Sequence, residues 1–207
     1  MKKAILLLMA AMMIIPTAEA KRRETPEEIA RKTREYRGWE WGAEARFDLV
    51  FYDMTYSKVF NDAAVQSYAA QAKFGGNVML NGGYFINNHW KLGLELGAQM
   101  QYNYTLMPVA VTARYFYGTR KTCLFNFVNV GTNVLFNKGM RFGALGEGGV
   151  GVRLQSPDSK LKYDIILGYQ ALMLNPRPQS GDYQINNKYV NYKKVNQSVY
   201  IGFGINF

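Results

Sequence analysis

Residues 39–52 (WEWGAEARFDLVFY) alternate strictly between two kinds of side chain. Trp39, Trp41, Ala43, Ala45, Phe47, Leu49 and Phe51 fall on one face, and Glu40, Gly42, Glu44, Arg46, Asp48, Val50 and Tyr52 on the other. A period of two marks a β-strand with unlike faces. The run is longer than the about 5–6 residues of an ordinary strand and covers the about 9–11 that a tilted strand needs to cross a bilayer. The apolar face is the continuous one, and the charges sit opposite it.

The same alternation recurs down the chain. Residues 74–86 put Phe74, Val78, Leu80, Tyr84 and Ile86 on one face. Residues 89–101 set Leu92, Leu94, Leu96, Ala98 and Met100 against Lys91, Gly93, Glu95, Gly97 and Gln99. Residues 107–117 set Val109, Val111, Ala113, Tyr115 and Tyr117 against Ala110, Thr112, Arg114 and Phe116. Residues 122–136 are apolar on both faces in part, which leaves their facing open. Residues 140–154 oppose Phe142, Ala144, Val150, Val152 and Leu154 to Arg141, Glu147 and Arg153. Residues 160–174 oppose Leu161, Tyr163, Ile165, Leu167, Tyr169 and Ala171 to Lys160, Lys162, Asp164 and Gln170. Residues 195–207 oppose Val199, Ile201, Phe203, Ile205 and Phe207 to Ser198, Tyr200, Gly202, Gly204 and Asn206.

Eight such strands, with apolar residues on the continuous face, predict an all-β fold: an eight-stranded, antiparallel, up-and-down transmembrane β-barrel over residues 39–207. Single-chain bacterial barrels have an even strand number. After residue 20 no apolar run is long enough for a membrane helix, and a closed barrel is the other structure whose backbone is satisfied in hydrocarbon. A soluble β-sandwich would show shorter strands and polar outer faces. Aromatics at strand ends (Trp39, Trp41, Tyr52, Tyr84, Phe85, Trp90, Tyr102, Tyr104, Tyr115, Tyr117, Phe207) suit girdles at the two membrane interfaces. With both termini periplasmic, Asn87-Asn88, residues 118–121 and residues 156–159 are the short periplasmic turns. Residues 53–73, about 102–106, 137–139 and 175–194 are the outer connections, of which the first and last are the long ones.

Ahead of the barrel lie two segments. Met1-Lys2-Lys3, the apolar run Ala4–Ile15, Pro16 and Ala18-Glu19-Ala20 read as a secretory signal peptide over residues 1–20. Residues 21–38 read as a periplasmic segment. In it Thr25-Pro26-Glu27-Glu28 is a capping box with Pro at the first helical position, opening a short solvated helix from Pro26 to about Tyr36. Its basic residues suit lipid headgroups.

Composition narrows the chemistry. The formal charge is +10, lowered by one when Lys2, Lys3 and Glu19 leave with the leader. In an exported protein such a balance points to anionic lipid or polysaccharide and away from nucleic acid. One Cys and one His exclude an intrachain disulfide and a Cys-based metal cluster, and make a His-based metal site or a triad hard to build. No cofactor and no metal are expected. His89, in the turn 87–90, reads as a turn or interface residue, and Cys123 as a small filler with no base beside it. No catalytic set emerges, and an enzyme is not expected. Gly146-Glu147-Gly148-Gly149-Val150-Gly151 lacks the Lys-Ser/Thr of a phosphate loop.

Three stretches, WEWGAEARF after the leader, MPVAVTARYFYG at 107–118 and SVYIGFGINF at the end, resemble the small porin-like outer-membrane β-barrel proteins of the Bacteroidetes type. These are similar to the eight-stranded barrels of outer-membrane proteins A and X. The resemblance implies a bacterial outer-membrane location. It also implies that the aromatic terminus Phe207 is read by the outer-membrane assembly machinery; on its residues alone, Phe207 is equally an interface aromatic.

The inward face of such a barrel carries Glu40, Glu44, Arg46, Asp48, Lys91, Glu95, Arg114, Arg141, Glu147, Arg153, Lys162 and Asp164. An eight-stranded barrel is just wide enough to be filled by side chains. These charges are therefore expected to form a packed ion-pair network, the alternative being a narrow ion path. The interface aromatics are Trp39, Trp41, Trp90, Tyr115, Tyr117 and Phe207. Two functions follow: a structural or adhesion barrel with a filled lumen that meets carbohydrate or polyanion through loops 53–73 and 175–194, or a small porin-like channel or transporter.

Overall fold

In the computed structural model the first strand, β1 (Gly38–Val59), pairs on one side with β2 (Asp62–Phe85) and on the other with the last, β10 (Tyr192–Asn206). Between them run β3 (Trp90–Gln101), β4 (Tyr104–Phe116), β5 (Cys123–Leu135), β6 (Arg141–Leu154) and β7 (Lys162–Leu174). Each pairs antiparallel with its neighbour, in the order β1-β10-β7-β6-β5-β4-β3-β2, and the sheet closes on itself. Eight strands form the barrel. The structure describes residues 25–59, 62–101, 104–136, 141–155, 158–175, 184–185, 188–189 and 192–207. The expected signal peptide lies outside them.

Two parts of the chain depart from the sequence reading. Residues 53–73 are expected as a loop, yet most of them continue β1 and β2 as one long hairpin. The register shifts between Val50 and Tyr52 on both sides of β1. This bulge breaks the two-residue period there, so the pattern ends before the strand does. Within 175–194 a two-residue ladder, β8 (Gln184–Ile185) with β9 (Lys188–Tyr189), forms a separate small hairpin. The rest of that segment before Tyr192, Asn175 apart, is outside the described residues.

The chain divides into Met1–Arg31 and Lys32–Phe207. Helix α1 spans Pro26–Lys32 and buries none of its residues. The capping box is made as the sequence predicts: Glu28 N–H donates to Thr25 Oγ1 at 3.3 Å, and Thr25 N–H to Glu28 Oε2 at 3.1 Å. The helix stops at Lys32, short of Tyr36, because residues from Thr33 onward bond to the barrel turn 119–121 instead.

Facing follows parity wherever the sequence reading assigned it. On β1 Glu40, Glu44, Arg46 and Asp48 are buried, while Trp39, Trp41 and Phe47 are exposed. β5, left open above, resolves with Cys123, Phe125, Phe127 and Asn129 inward and Leu124, Val128 and Val130 outward. Among the described residues every barrel strand carries exposed apolar side chains on its outer face. β4 and β5 approach so closely at Gly131 that an added methyl would run into the Val109 carbonyl and Ala110. Around Gly146, on the outward side of β6, the same methyl meets nothing within 4 Å. Gly131→Ala should therefore cost about 1–3 kcal/mol through overpacking. Gly146→Ala should be neutral or gain about 0.4–1 kcal/mol by restricting the unfolded chain. Urea unfolding of the two refolded variants measures the contrast.

Candidate functional site

The lumen is where chemistry-bearing side chains converge. It is layered along the barrel axis, and the end at which β1 begins and β10 ends is called the near end below. Because inward residues come from every second position, opposite walls meet at the centre, and a strand charge reaches partners far away in sequence.

The middle layer is a connected set of ion pairs. Arg46 holds Glu44 and Glu95 through Nη2, at 2.7 Å each, and Glu147 through Nη1 at 2.9 Å. Arg114 bonds Glu44, Glu95 at 2.7 Å and Asp164 at 3.4 Å. Arg153 reaches Asp164 at 2.7 Å and Glu40 at 3.0 Å. Glu40 also takes Lys91 and Lys162, each at 2.7 Å. Asn129 donates to both Glu95 and Glu147, and Gln170 donates to Glu147. Away from water such charges are tolerable only when paired and hydrogen-bonded.

The layer toward the far end is amide-rich. Gln99 donates to Asp48 at 3.0 Å and to Gln170 at 2.8 Å, and Asn77 donates to Asp48 at 3.3 Å. Beyond it, on the β4–β7 side, Tyr104, Leu106, Ala110, Leu135, Leu145, Leu172 and Leu174 pack as a buried apolar cluster. Asp53 lies 3.6 Å from Lys73 and 3.7 Å from Lys194, tying β1 to both neighbours.

An aromatic floor and a chain segment close the near end. Phe85, Phe116, Phe125, Phe127 and Tyr200 line the floor with Ile166. Gly168 leaves the space that the Tyr200 ring occupies, and Gly151 the space for Phe125. Into this floor runs residues 33–37. Arg34 and Tyr36 are buried. Arg34 donates to the Gly118 carbonyl at 2.8 Å and to Cys123 Sγ at 2.9 Å. The Tyr36 ring packs 4.7 Å from Phe85 and edge-on to Phe116, and its hydroxyl donates to Gln155 at 3.1 Å. Arg153 lies 4.6 Å above the Phe116 ring and 5.5 Å above that of Tyr36. Arg34 N–H to the Thr119 carbonyl (2.7 Å) and Lys121 N–H to the Lys32 carbonyl (2.8 Å) tie the segment to the turn through an isolated antiparallel bridge, Thr33 with Arg120.

Of the charges assigned to the lumen, Glu40, Glu44, Arg46, Lys91, Glu95, Arg114, Glu147, Arg153, Lys162 and Asp164 are brought together. Asp48 is buried among amides. Arg141 is half-buried at the far end of β6, outside these ion pairs. Parity places Arg141 correctly but cannot show that β6 has by then reached the rim. Gln99, Gln170 and Tyr200 share the polar parity and could have been enlisted with the charges. Arg34 and Tyr36 carried no signal, since their partners come from turns 87–89 and 118–121 and from strands far along the chain.

His89 is a turn residue. Its ring stacks on Tyr115, and Nδ1 lies 2.9 Å from the Phe116 carbonyl, an arrangement that needs the proton on Nδ1. Cys123 accepts from Arg34 rather than merely filling space. Outside the barrel, Trp39, Trp41, Trp90, Tyr117 and Phe207 are exposed and Tyr115 half-buried, all at the near end. Trp39 stacks on Trp41 and meets Tyr84 edge-on, and Trp90 meets Tyr115. Tyr104 and Phe85, counted among the girdle aromatics, point inward instead, Tyr104 onto the apolar cluster and Phe85 into the aromatic floor.

No protein-family model matches the chain, and no curated protein does. Among solved structures it is similar to the N-terminal β-barrel domain of OprF from Pseudomonas aeruginosa (15% identity, 84% of this chain and 100% of that one, TM-score 0.44). It is also similar to the outer membrane protein OprG from the same organism (14%, 83% and 97%, TM-score 0.47). A third is the outer membrane protein AlkL in lipid bilayers (12%, 92% and 96%, TM-score 0.45). The barrel assignment itself rests on the strand registers.

Two outcomes follow. Arg114→Met leaves Glu44 and Glu95 short of a cation and should cost about 3–5 kcal/mol, measured by urea unfolding. Burial raises the Tyr36 phenol well above its usual range, with Arg153 acting in the opposite sense. The seated segment then binds its proton more tightly than the released one. Its seating is intact below about pH 10, the ordinary tyrosine value, and weakens as pH climbs above it. Proteolysis of residues 25–37 should accelerate at alkaline pH in the wild type, and Tyr36→Phe should remove that acceleration.

Proposed function

We propose that the protein is a non-enzymatic β-barrel of a bacterial outer membrane, with a filled lumen, that works as a structural or adhesion element through its outward rim. The observation that carries this is the inversion of polarity. Large apolar side chains such as Leu94, Val130 and Phe142 are exposed around the wall, while Arg46, Glu95, Arg114 and Arg153 are buried at its centre. In water that arrangement would be penalised on both counts; in a bilayer it is what the solvent demands. Aromatics concentrated at the near end suit the headgroup level there. The near end then faces the periplasm, and the far end faces outward, as in the topology expected from turn lengths.

The filled lumen argues for a rim-based role rather than conduction. The central ion pairs, the apolar cluster beyond them and the seated segment 33–37 occupy the bore in turn. Partners are then met outside it: outer-membrane lipid at the wall, and carbohydrate or polyanion at the outer connections, of which 175–194 carries most of the basic residues. Phe207, exposed beside Trp41, is the proposed signal to the assembly machinery. A small porin-like channel is the second reading. It draws on the run of polar side chains, from Asn206 to Gln101, that lines the bore between its two apolar ends.

Two measurements test the proposal. Val130→Arg, mid-strand and 63% exposed, should cost about 2–4 kcal/mol in lipid vesicles; an exposed position in water would tolerate it. Purified protein in planar bilayers should give no steady open steps. Large, sustained conductance would favour the channel.

A further inference from the structure

We propose that the lumen holds one monovalent alkali cation, Na⁺ or K⁺, at Asp48. The other carboxylates of the central set each have a cation at ion-pair distance; Asp48 has none among the described residues, although it is completely buried. Its neighbours Asn77 and Gln99 bond only to Oδ2. Asp48 Oδ1 has no partner, and neither has Oδ1 of the adjacent Asn77, itself buried. The carboxyl group and the amide that donates to it thus each keep an oxygen acceptor without a donor. Both are acceptors, so they cannot satisfy one another.

The proposed occupant of this place is positive, and the chemistry of the oxygens selects which ion suits them. Carboxylate and amide oxygens are hard ligands that suit alkali and alkaline-earth ions. A single carboxylate charge is cancelled by a monovalent ion, whereas a divalent one would leave an uncompensated positive charge in a buried site. Gln99, which donates to Asp48 through Nε2, carries a third oxygen, Oε1, that receives only a 3.5 Å bond from Gln170. Arg34 is no substitute: its guanidinium is fixed by the Phe116 and Gly118 carbonyls in the opposite layer of the bore. The cation would complete the filling of the lumen between the ion-pair layer and the apolar cluster.

The test uses the refolded protein in detergent. Its thermal midpoint is measured against NaCl, KCl and choline chloride at equal ionic strength, for wild type and Asp48→Asn. That substitution keeps the shape and removes the charge. The expected result is a midpoint that climbs with NaCl or KCl and not with choline chloride in the wild type, with no alkali dependence in Asp48→Asn. Crystals soaked in Rb⁺ or Tl⁺ should show an anomalous peak beside Asp48 Oδ1, a readout that survives if the variant folds poorly. The proposal is overturned by equal midpoints in alkali and choline salts, or by an alkali effect that persists in Asp48→Asn. It is equally overturned by a protonated-carboxyl infrared band that vanishes in Asp48→Asn, which would show that a proton fills the place.

Discussion

Glu44 and Glu95 are each held by two guanidinium groups, Arg46 and Arg114, which reach them from strands on different parts of the wall. The rest of the barrel follows from this crossing. Four charged groups from β1, β3 and β4 meet in the bore, so none of these three strands can slip by one residue without carrying a charge to the outer face and an apolar group to the centre. Register, facing and closure are fixed by the same contacts. A narrow bore makes this work, because side chains from opposite walls are long enough to touch.

Around that centre the polarity gradient runs opposite to that of a soluble protein. Apolar side chains line the outside, and charge lies inside. Toward the far end the polar set gives way to the Leu cluster on the β4–β7 side, and at the near end to the Phe and Tyr floor. The ion-paired side chains of Arg46, Glu44, Glu95 and Arg114 are almost wholly buried, and burial of this kind strengthens each pair and makes an unpartnered charge costly. The seated segment completes the near end with both kinds of contact, since Arg34 satisfies turn carbonyls while Tyr36 extends the aromatic floor.

The strand pattern was legible because period two is a direct image of a two-faced wall. Glu40, Glu44, Arg46 and Asp48 could be placed from spacing alone, and so could the outward Leu92, Leu94 and Leu96. Legibility failed where geometry departs from that period. The bulge at Val50–Tyr52 hid the extension of β1 and β2. On β5, Phe125 and Phe127 face inward while Leu124 and Val128 face outward, and hydrophobicity cannot separate them. Residues 33–37 were unreadable for another reason: Arg34 and Tyr36 are defined by groups distant in sequence, Gly118, Cys123, Phe85 and Gln155. In the lumen, charges announced themselves, but the amides that saturate them, such as Asn129 and Gln170, look like any polar residue.

The central claim is that the ion pairs work in a dry, filled bore rather than in a water-filled pore. A double-mutant cycle between Arg114 and Glu95, using Arg114→Met and Glu95→Gln in protein refolded into lipid vesicles, tests it directly. Desolvated partners in a shared network should couple by about 2 kcal/mol or more. A coupling below about 0.5 kcal/mol, the size found for solvated pairs, would mean that water fills the lumen and would contradict the account.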